Sequence, residues 1–271
     1  MSTTLNLRIG DTHLTLAVGQ APTTMLDEMR LRYAAFLDDG LPLSPAFHVT
    51  VSVRPGPLWL PLRGDAILPL RTRRRGPCIT CVTPTEVGYF DLLQRRGRIV
   101  LRPHGNVENC LRVLVGWDVA QRGGLLLHAS GVVRGAGAFV FFGPSGAGKS
   151  TVAQLSACWP VLSDDLVLIE RTASGYQACG VPFRGNAWTA PRLNLRAPLA
   201  GLLALEQAPR HARLPLPPGA GAAQLVACTP FVTTCPEGAA LVMRAAAALT
   251  AVIPAARLQF RKDDRFWEVL I

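Results

Sequence analysis

Apolar and polar residues alternate along the first part of the chain. Leu5, Leu7 and Ile9, then Leu14, Leu16 and Val18, recur at period two around Gly10-Asp11, the signature of a β-hairpin. Thr24 with Asp27 three residues on reads as a capping box. Met25, Met29, Tyr33, Phe36 and Leu37 follow on one face of a helix expected over 24–37. Phe47, Val49, Val51 and Val53 return to period two, a Pro/Gly-rich loop runs to about 64, and further short strands fall within 66–102.

Beyond that point the period changes. Residues 107–122 have helical spacing and stop at Gly123-Gly124. Two apolar strands follow, "LLLHASGVV" and "GAFVFF", joined by a turn at 134–137, then a glycine loop, a helix and a strand. The Pro/Gly/Ala-rich stretch 206–224 reads as a mobile surface loop. Thr234 and Glu237 suggest a second capping box before an alanine-rich helix over 235–252, and "RLQFRKDDRFWEVLI" suggests a closing hairpin. The pattern divides the chain into a small α+β domain over 1–105 and an α/β domain over 106–271.

Composition narrows the class. At 271 residues and 49% hydrophobic, the chain is long enough to bury a substantial core. No apolar run approaches a membrane span and no secretory pattern opens the sequence, so a soluble cytoplasmic protein with no membrane partner is expected. The seven cysteines form an odd, scattered set that fits reduced thiols. Cys78 and Cys81 form one CxxC without a second ligand pair, which points to a strand and not to zinc or redox chemistry. The net charge of +10 is carried by arginine, since the only lysines are Lys149 and Lys262. The run "RTRRR" at 71–75 reads first as a solvated strand edge and second as a surface for an anionic partner. No basic face with interleaved aromatics appears, so nucleic acid is not an expected partner.

The sharpest motif is "GPSGAGKS", residues 143–150, which satisfies G-x-x-x-x-G-K-[ST] between an apolar strand and a helix. Gly143, Pro144, Ser145, Gly146, Ala147 and Gly148 would curl the backbone so that N–H groups face a phosphate chain. Lys149 would add a point charge near the β and γ phosphates, Ser150 a hydroxyl for Mg²⁺, and Thr151 continues the site into the helix. Asp164 and Asp165 interrupt "VLSDDLVLIE", the first of them 15 residues after Lys149. In a right-handed βαβ unit that strand returns parallel to the one feeding the loop and presents both carboxylates on the phosphate rim. One would hold Mg²⁺ and the other accept a proton from an attacking hydroxyl. His128, on the strand before the loop strand, is a third candidate, to orient an aspartate or to contact the transferred phosphate.

The ordered set "LLLHASGVV … FFGPSGAGKST … VLSDDLVLIE" resembles the C-terminal catalytic domain of the HPr kinase/phosphorylase family, itself similar to phosphoenolpyruvate carboxykinases. The resemblance covers about 123–185 and implies a P-loop α/β kinase fold that uses ATP and Mg²⁺. It makes His128, Lys149 and Asp164 catalytic, with Asp164 as general base, and gives Ser150 and Asp165 to the metal. The chain end, "VIPAARLQFRKDDRFWEVL", is similar to HPr-kinase-like proteins of the peptide-tailoring type. Two departures stand out. The family's glutamate in a glycine-rich signature has no counterpart, because residues 171–205 contain no Glu or Asp, and the N-terminal hundred residues do not match the authentic enzyme. Arg184, Arg192 and Arg196 are further phosphate candidates.

The leading expectation is therefore an ATP-dependent kinase acting on a hydroxyl, with serine of a protein or peptide as acceptor and homo-oligomerisation left open. Two rivals are a small-molecule kinase acting on a hydroxylated metabolite, with 206–224 as a lid, and a non-catalytic nucleotide switch. An ABC-type ATPase is disfavoured by the lack of an LSGGQ-like signature.

Overall fold

The computed structural model describes residues 3–19, 21–38, 40, 46–61, 69–183 and 192–270. The chain is mixed α/β with two sheets and few helices, and it divides into two compact units, Met1–Asp118 and Val119–Ile271.

The first unit is a seven-stranded sheet formed by β1 (Thr3–Ile9), β2 (Thr12–Val18), β3 (Phe47–Val53), β4 (Arg71–Arg75), β5 (Cys78–Val82), β6 (Glu86–Asp91) and β7 (Arg96–Leu101). Its order is β1-β2-β3-β7-β6-β5-β4. Helix α1 (Thr23–Tyr33) carries the crossover between the parallel strands β2 and β3, and a 3₁₀ turn over Ala34–Phe36 extends it. Its start differs from the sequence expectation. Pro22 occupies the N-cap and no side chain caps the helix, because proline already sets the entry geometry that a Thr24 cap would otherwise impose.

Period-two patterning puts Val49, Val51, Ile79, Cys81, Phe90, Ile99 and Leu101 on one buried face. The CxxC is split by the same alternation. Cys81 is buried with its Sγ 3.2 Å from that of Cys110, while Cys78 lies on the other face with its Sγ 2.9 Å from the Tyr89 hydroxyl.

Helix α2 (Glu108–Gln121) lies on the buried face. The division between units falls inside this helix and not before it, and the contacts explain why. Asp118 accepts from Thr12 Oγ1 at 2.7 Å and from Arg95 at 3.0 Å, and Glu108 pairs with Arg32 and Arg112 at 2.5 and 2.6 Å. Buried Glu86 accepts from Asn109 Nδ2 and Cys110 N at 2.9 and 3.2 Å. Gly123, in the left-handed region, stops α2 as expected.

The second unit contains β8 (Leu125–Arg134), β9 (Gly137–Phe142), α3 (Lys149–Leu155), β10 (Val161–Ser163), β11 (Leu166–Thr172), β12 (Gly175–Cys179) and β13 (Arg196–Gln207). It continues with β14 (Ala212–Pro215), α4 (Pro218–Ala227), α5 (Pro236–Val252), β15 (Ala255–Phe260) and a 3₁₀ segment over Asp264–Val269. Strands β9, β13 and β15 are parallel neighbours, while β8 pairs antiparallel with β9 on one edge and with β10 and β11 on the other. With β11–β12 and β12–β13 also paired, the hydrogen-bonded path β8–β11–β12–β13–β9 returns to β8.

Three expectations are corrected here. The stretch 206–224 is not a loop: it holds the end of β13, strand β14 and the first turns of α4, with Leu216, Gly221 and Leu205 buried beside it. The chain end is not a hairpin. β15 takes β13 and β14 as partners, and Asp263, accepting from Arg265 N at 3.1 Å, opens a 3₁₀ segment that buries Phe266 and Trp267. Cys235, not Thr234, is the N-cap of α5, and Thr234 Oγ1 donates to Phe231 O at 3.3 Å.

Trp267 is the anchor of this end. Its ring meets Phe139, Phe141, Trp159 and Phe266 at centroid distances of 5.2 to 5.6 Å, and its Nε1 donates to Ser156 Oγ at 3.0 Å, just past α3. Among the described residues, no helix is long and apolar enough to cross a membrane.

Two stability predictions follow from these contacts. Trp267→Ala should cost the second unit about 3–5 kcal/mol, read as a lowered denaturant midpoint, because it opens a cavity and strands the Ser156 hydroxyl. Burial pushes the Glu86 carboxyl up from 4.5 to about 7, against the pull of the Asn109 and Cys110 donors. The folded state therefore binds this proton more tightly than the unfolded chain. Its stabilisation is fully present below pH 4.5, fades as pH rises, and is lost above about pH 7. Glu86→Gln should flatten the pH dependence of melting across that window by on the order of 3 kcal/mol relative to the parent protein.

Candidate functional site

The loop after β9 has the conformation its glycines require. Gly146 and Gly148 have φ of +80° and +107°, and a Cβ on Gly148 would lie 2.6 Å from Phe260 Cζ, so both torsion and packing demand glycine there. Pro144, Ser145 and Gly146 are exposed, whereas Lys149 is buried at the start of α3. Its Nζ donates to Gly143 O and Pro144 O, both at 3.0 Å, folding the ammonium onto its own loop. Burial draws the Lys149 pKa down, and the nearby Cys228 and Asp165 pull it back up. Ser150 and Thr151 follow on the same helix, half-buried.

The Asp pair sits at the bend that directly follows the end of β10 and precedes β11. β10 and β11 run antiparallel to β8 on either side of it, with Val161 opposite Val132 and Leu166 opposite His128. The Ser163 hydroxyl accepts from Asp165 N and Leu166 N, each at 3.2 Å, and Ala129 N donates to Asp165 O at 3.0 Å, which fixes the bend. β10 is parallel to β9, as the spacing suggested, but β8 lies between them. The reason is that β8 is ten residues long and offers both edges.

His128 is brought to the same place by register. It lies one residue before Ala129, which pairs with Phe142, the last residue ahead of the loop. Its half-exposed imidazole Nε2 is 3.3 Å from Asp165 Oδ1. Asp164 is buried beside this pair. Loop, histidine and both aspartates thus share one rim. Arg192 is elsewhere engaged, with Nε donating to Pro182 O at 2.7 Å; Arg196 begins β13 opposite Cys179, and Arg184 lies outside the described residues.

Sequence reasoning missed Cys228 and Gln207. Cys228 follows α4, its carbonyl accepts from His128 N at 2.7 Å, and its thiol lies by Gly143 N–H and Lys149. Burial raises that thiol's pKa while those two groups lower it. Gln207 Nε2 donates to Gly146 O at 2.8 Å from the C-terminal end of β13. Beyond it a cleft of about 350 Å³ opens between the ends of β13 and β15, lined by Thr151, Gln207, Ala208, Phe260 and Lys262. Both lysines of the chain therefore border the glycine loop. Arg261, also on the cleft, is paired with Asp263. The only advance signal for these positions was that parallel strands bind ligands at their carboxyl ends.

The described residues hold no cluster of three or more His, Cys, Asp or Glu side chains arranged for a metal. No curated protein matches the chain. A family model, that of the SynChlorMet cassette protein ScmC, matches residues 107–270, from the start of α2 to the end of the 3₁₀ segment, and so takes in the loop, the histidine and the Asp pair. Since that match spans more than half of its length, the chain belongs to the ScmC family of SynChlorMet cassette proteins.

Proposed function

We propose that the protein is an ATP-dependent kinase of HPr-kinase-like fold that transfers the γ-phosphate to a hydroxyl, with serine of a cytoplasmic protein or peptide as acceptor. The observation that carries this reading is the convergence along β8: the loop entrance, His128 and Asp165 occupy one rim, with Asp165 3.3 Å from His128 and close enough to act on the charge of Lys149.

The nucleotide lies across that rim in a direction set by strand order. In the series β10, β8, β9, β13, β15 the loop follows the middle strand. The cleft at β13 and β15 takes the nucleoside, and the phosphate chain crosses the loop with its γ end toward the Asp pair. A cleft of about 350 Å³ is within the range of small-ligand sites. Lys149 exchanges its two loop carbonyls for phosphate oxygens, and its ammonium is then better compensated.

The acceptor oxygen attacks the γ phosphorus, the bond to the β–γ bridging oxygen breaks, and the hydroxyl proton passes to Asp164. Asp165 and the Ser150 hydroxyl would be the protein donors for Mg²⁺, which when bound would neutralise charge on the phosphates. His128 holds Asp165 in place.

Two experiments test this reading. Lys149→Ala should abolish ADP binding by calorimetry, whereas Asp164→Asn should bind ADP as the parent does but lose transfer to serine peptides by 10²–10⁴-fold; full transfer by Asp164→Asn would remove it as the base. Filling the cleft with Ala208→Trp should weaken ADP at least tenfold and leave tripolyphosphate binding unchanged, about 1.4 kcal/mol or more placed on the nucleoside half. Equal losses for both ligands would mean that the cleft does not hold the nucleoside.

A further inference from the structure

Two groups of arginines stand out in the first unit. Those associated with the helix-covered side are engaged: Arg32 and Arg112 with Glu108, Arg95 with Asp118, and Arg74 with its guanidinium 4.8 Å from the centre of the Trp117 ring. On the opposite face of β4–β7 the register builds cross-strand rows, Arg73–Thr80–Tyr89–Arg98 and Arg75–Cys78–Asp91–Arg96, with Arg71 beside Val82 in the next. Arg71, Arg73, Arg75, Arg96 and Arg98 are all exposed, and none makes an ion pair among the described residues. The one carboxylate in these rows, Asp91, is occupied by the turn that follows it, its Oδ1 accepting from Leu93 N and Gln94 N at 2.9 Å each.

Position in the sheet adds a second constraint. Among the described residues, β4 is the terminal strand and pairs with β5 alone. A terminal strand is a template for another strand. A second copy of β4 is a poor candidate, because antiparallel edge pairing would set arginine against arginine. A nucleic acid is disfavoured too: Tyr89 is the only aromatic in these rows and its hydroxyl is engaged with Cys78, while Trp59, which lines the cleft beside Tyr89 and Arg98, already has one ring face covered by Arg102 at 3.7 Å. What remains complementary is an extended acidic polypeptide.

We propose that β4 and the open face beside it form a docking site for an acidic polypeptide segment that adds to the sheet as an eighth strand. Backbone pairing supplies the fit, and side chains at every second position meet Arg71, Arg73 and Arg75. The preferred segment carries Asp or Glu at alternating positions. This site is independent of the nucleotide rim and does not rest on the kinase reading.

The test uses the full chain and three fluorescent probes: an eight-residue peptide alternating Glu and Val, a peptide of the same composition with the four Glu in one block, and a ten-nucleotide oligouridylate. The alternating peptide is expected to bind at least tenfold tighter than the blocked one, to weaken as salt is raised from 50 to 200 mM, and to lose at least tenfold in affinity in an Arg71→Gln/Arg73→Gln/Arg75→Gln variant. Backbone N-methylation of alternate residues on one edge of the peptide should abolish binding, a readout that leaves the protein unaltered. The proposal is overturned if the two peptides bind equally, if neither binds, if N-methylation has no effect, or if the oligouridylate binds more tightly through the same arginines. Self-association that saturates this face, seen by sedimentation, would overturn it equally.

Discussion

Everything on the rim that gathers the glycine loop, His128 and the Asp pair hangs on one ladder of backbone hydrogen bonds. β8 gives one edge to β9 and the other to β10 and β11, and these three registers together fix where the loop begins, where His128 stands and where the Asp pair bends. Strand registers are discrete. A slip of one residue would carry His128 to the opposite face of the sheet and break its 3.3 Å contact with Asp165. The apolar run Leu125, Leu126 and Leu127, buried on both faces, makes such a slip costly, because it would have to repack the core on either side. The hydrophobic text around the site is thus what gives its polar residues their precision.

The same logic explains the aromatic block at the chain end. Phe260 packs under Gly148, and Trp267 reaches Ser156, so the helix that carries Lys149 rests on residues more than a hundred positions later. In the first unit the comparable role falls to α2, whose Glu108 and Asp118 gather cations from the chain around it. Buried Glu86 pays the desolvation cost of receiving the start of that helix.

What could be read in the sequence was what depends on neighbours in the chain. The hairpin of β1 and β2 announced itself by period two around Gly10, and the glycine loop by residues whose torsions admit little else. The Asp pair was legible because two carboxylates inside an apolar run need a reason. What escaped depends on partners far away. β15 reads locally as half of a hairpin, yet it lies parallel to β13, whose first residue is some sixty positions earlier. The stretch 206–224 looks structureless by composition, but Ala212–Pro215 finds an edge to pair with and Pro217-Pro218 starts a helix. The capping box expected at α1 did not form, since proline at the entry had already set the chain direction, and at α5 the cap position falls to Cys235. Cys228 and Gln207 carried no motif at all; only the closing of the sheet brings them to the loop.

Lys149 has a consequence for selectivity. Two of the three protons on its ammonium already point at carbonyl oxygens of the loop it belongs to, so the site contains its own competitor. Any anion that would recruit this lysine must outbid an acceptor pair held at fixed, high effective concentration by the backbone itself. If the loop takes a phosphate chain as proposed, a polyanion that also engages the rest of the loop would gain more from the exchange than a singly charged ion, and the backbone itself would then favour it.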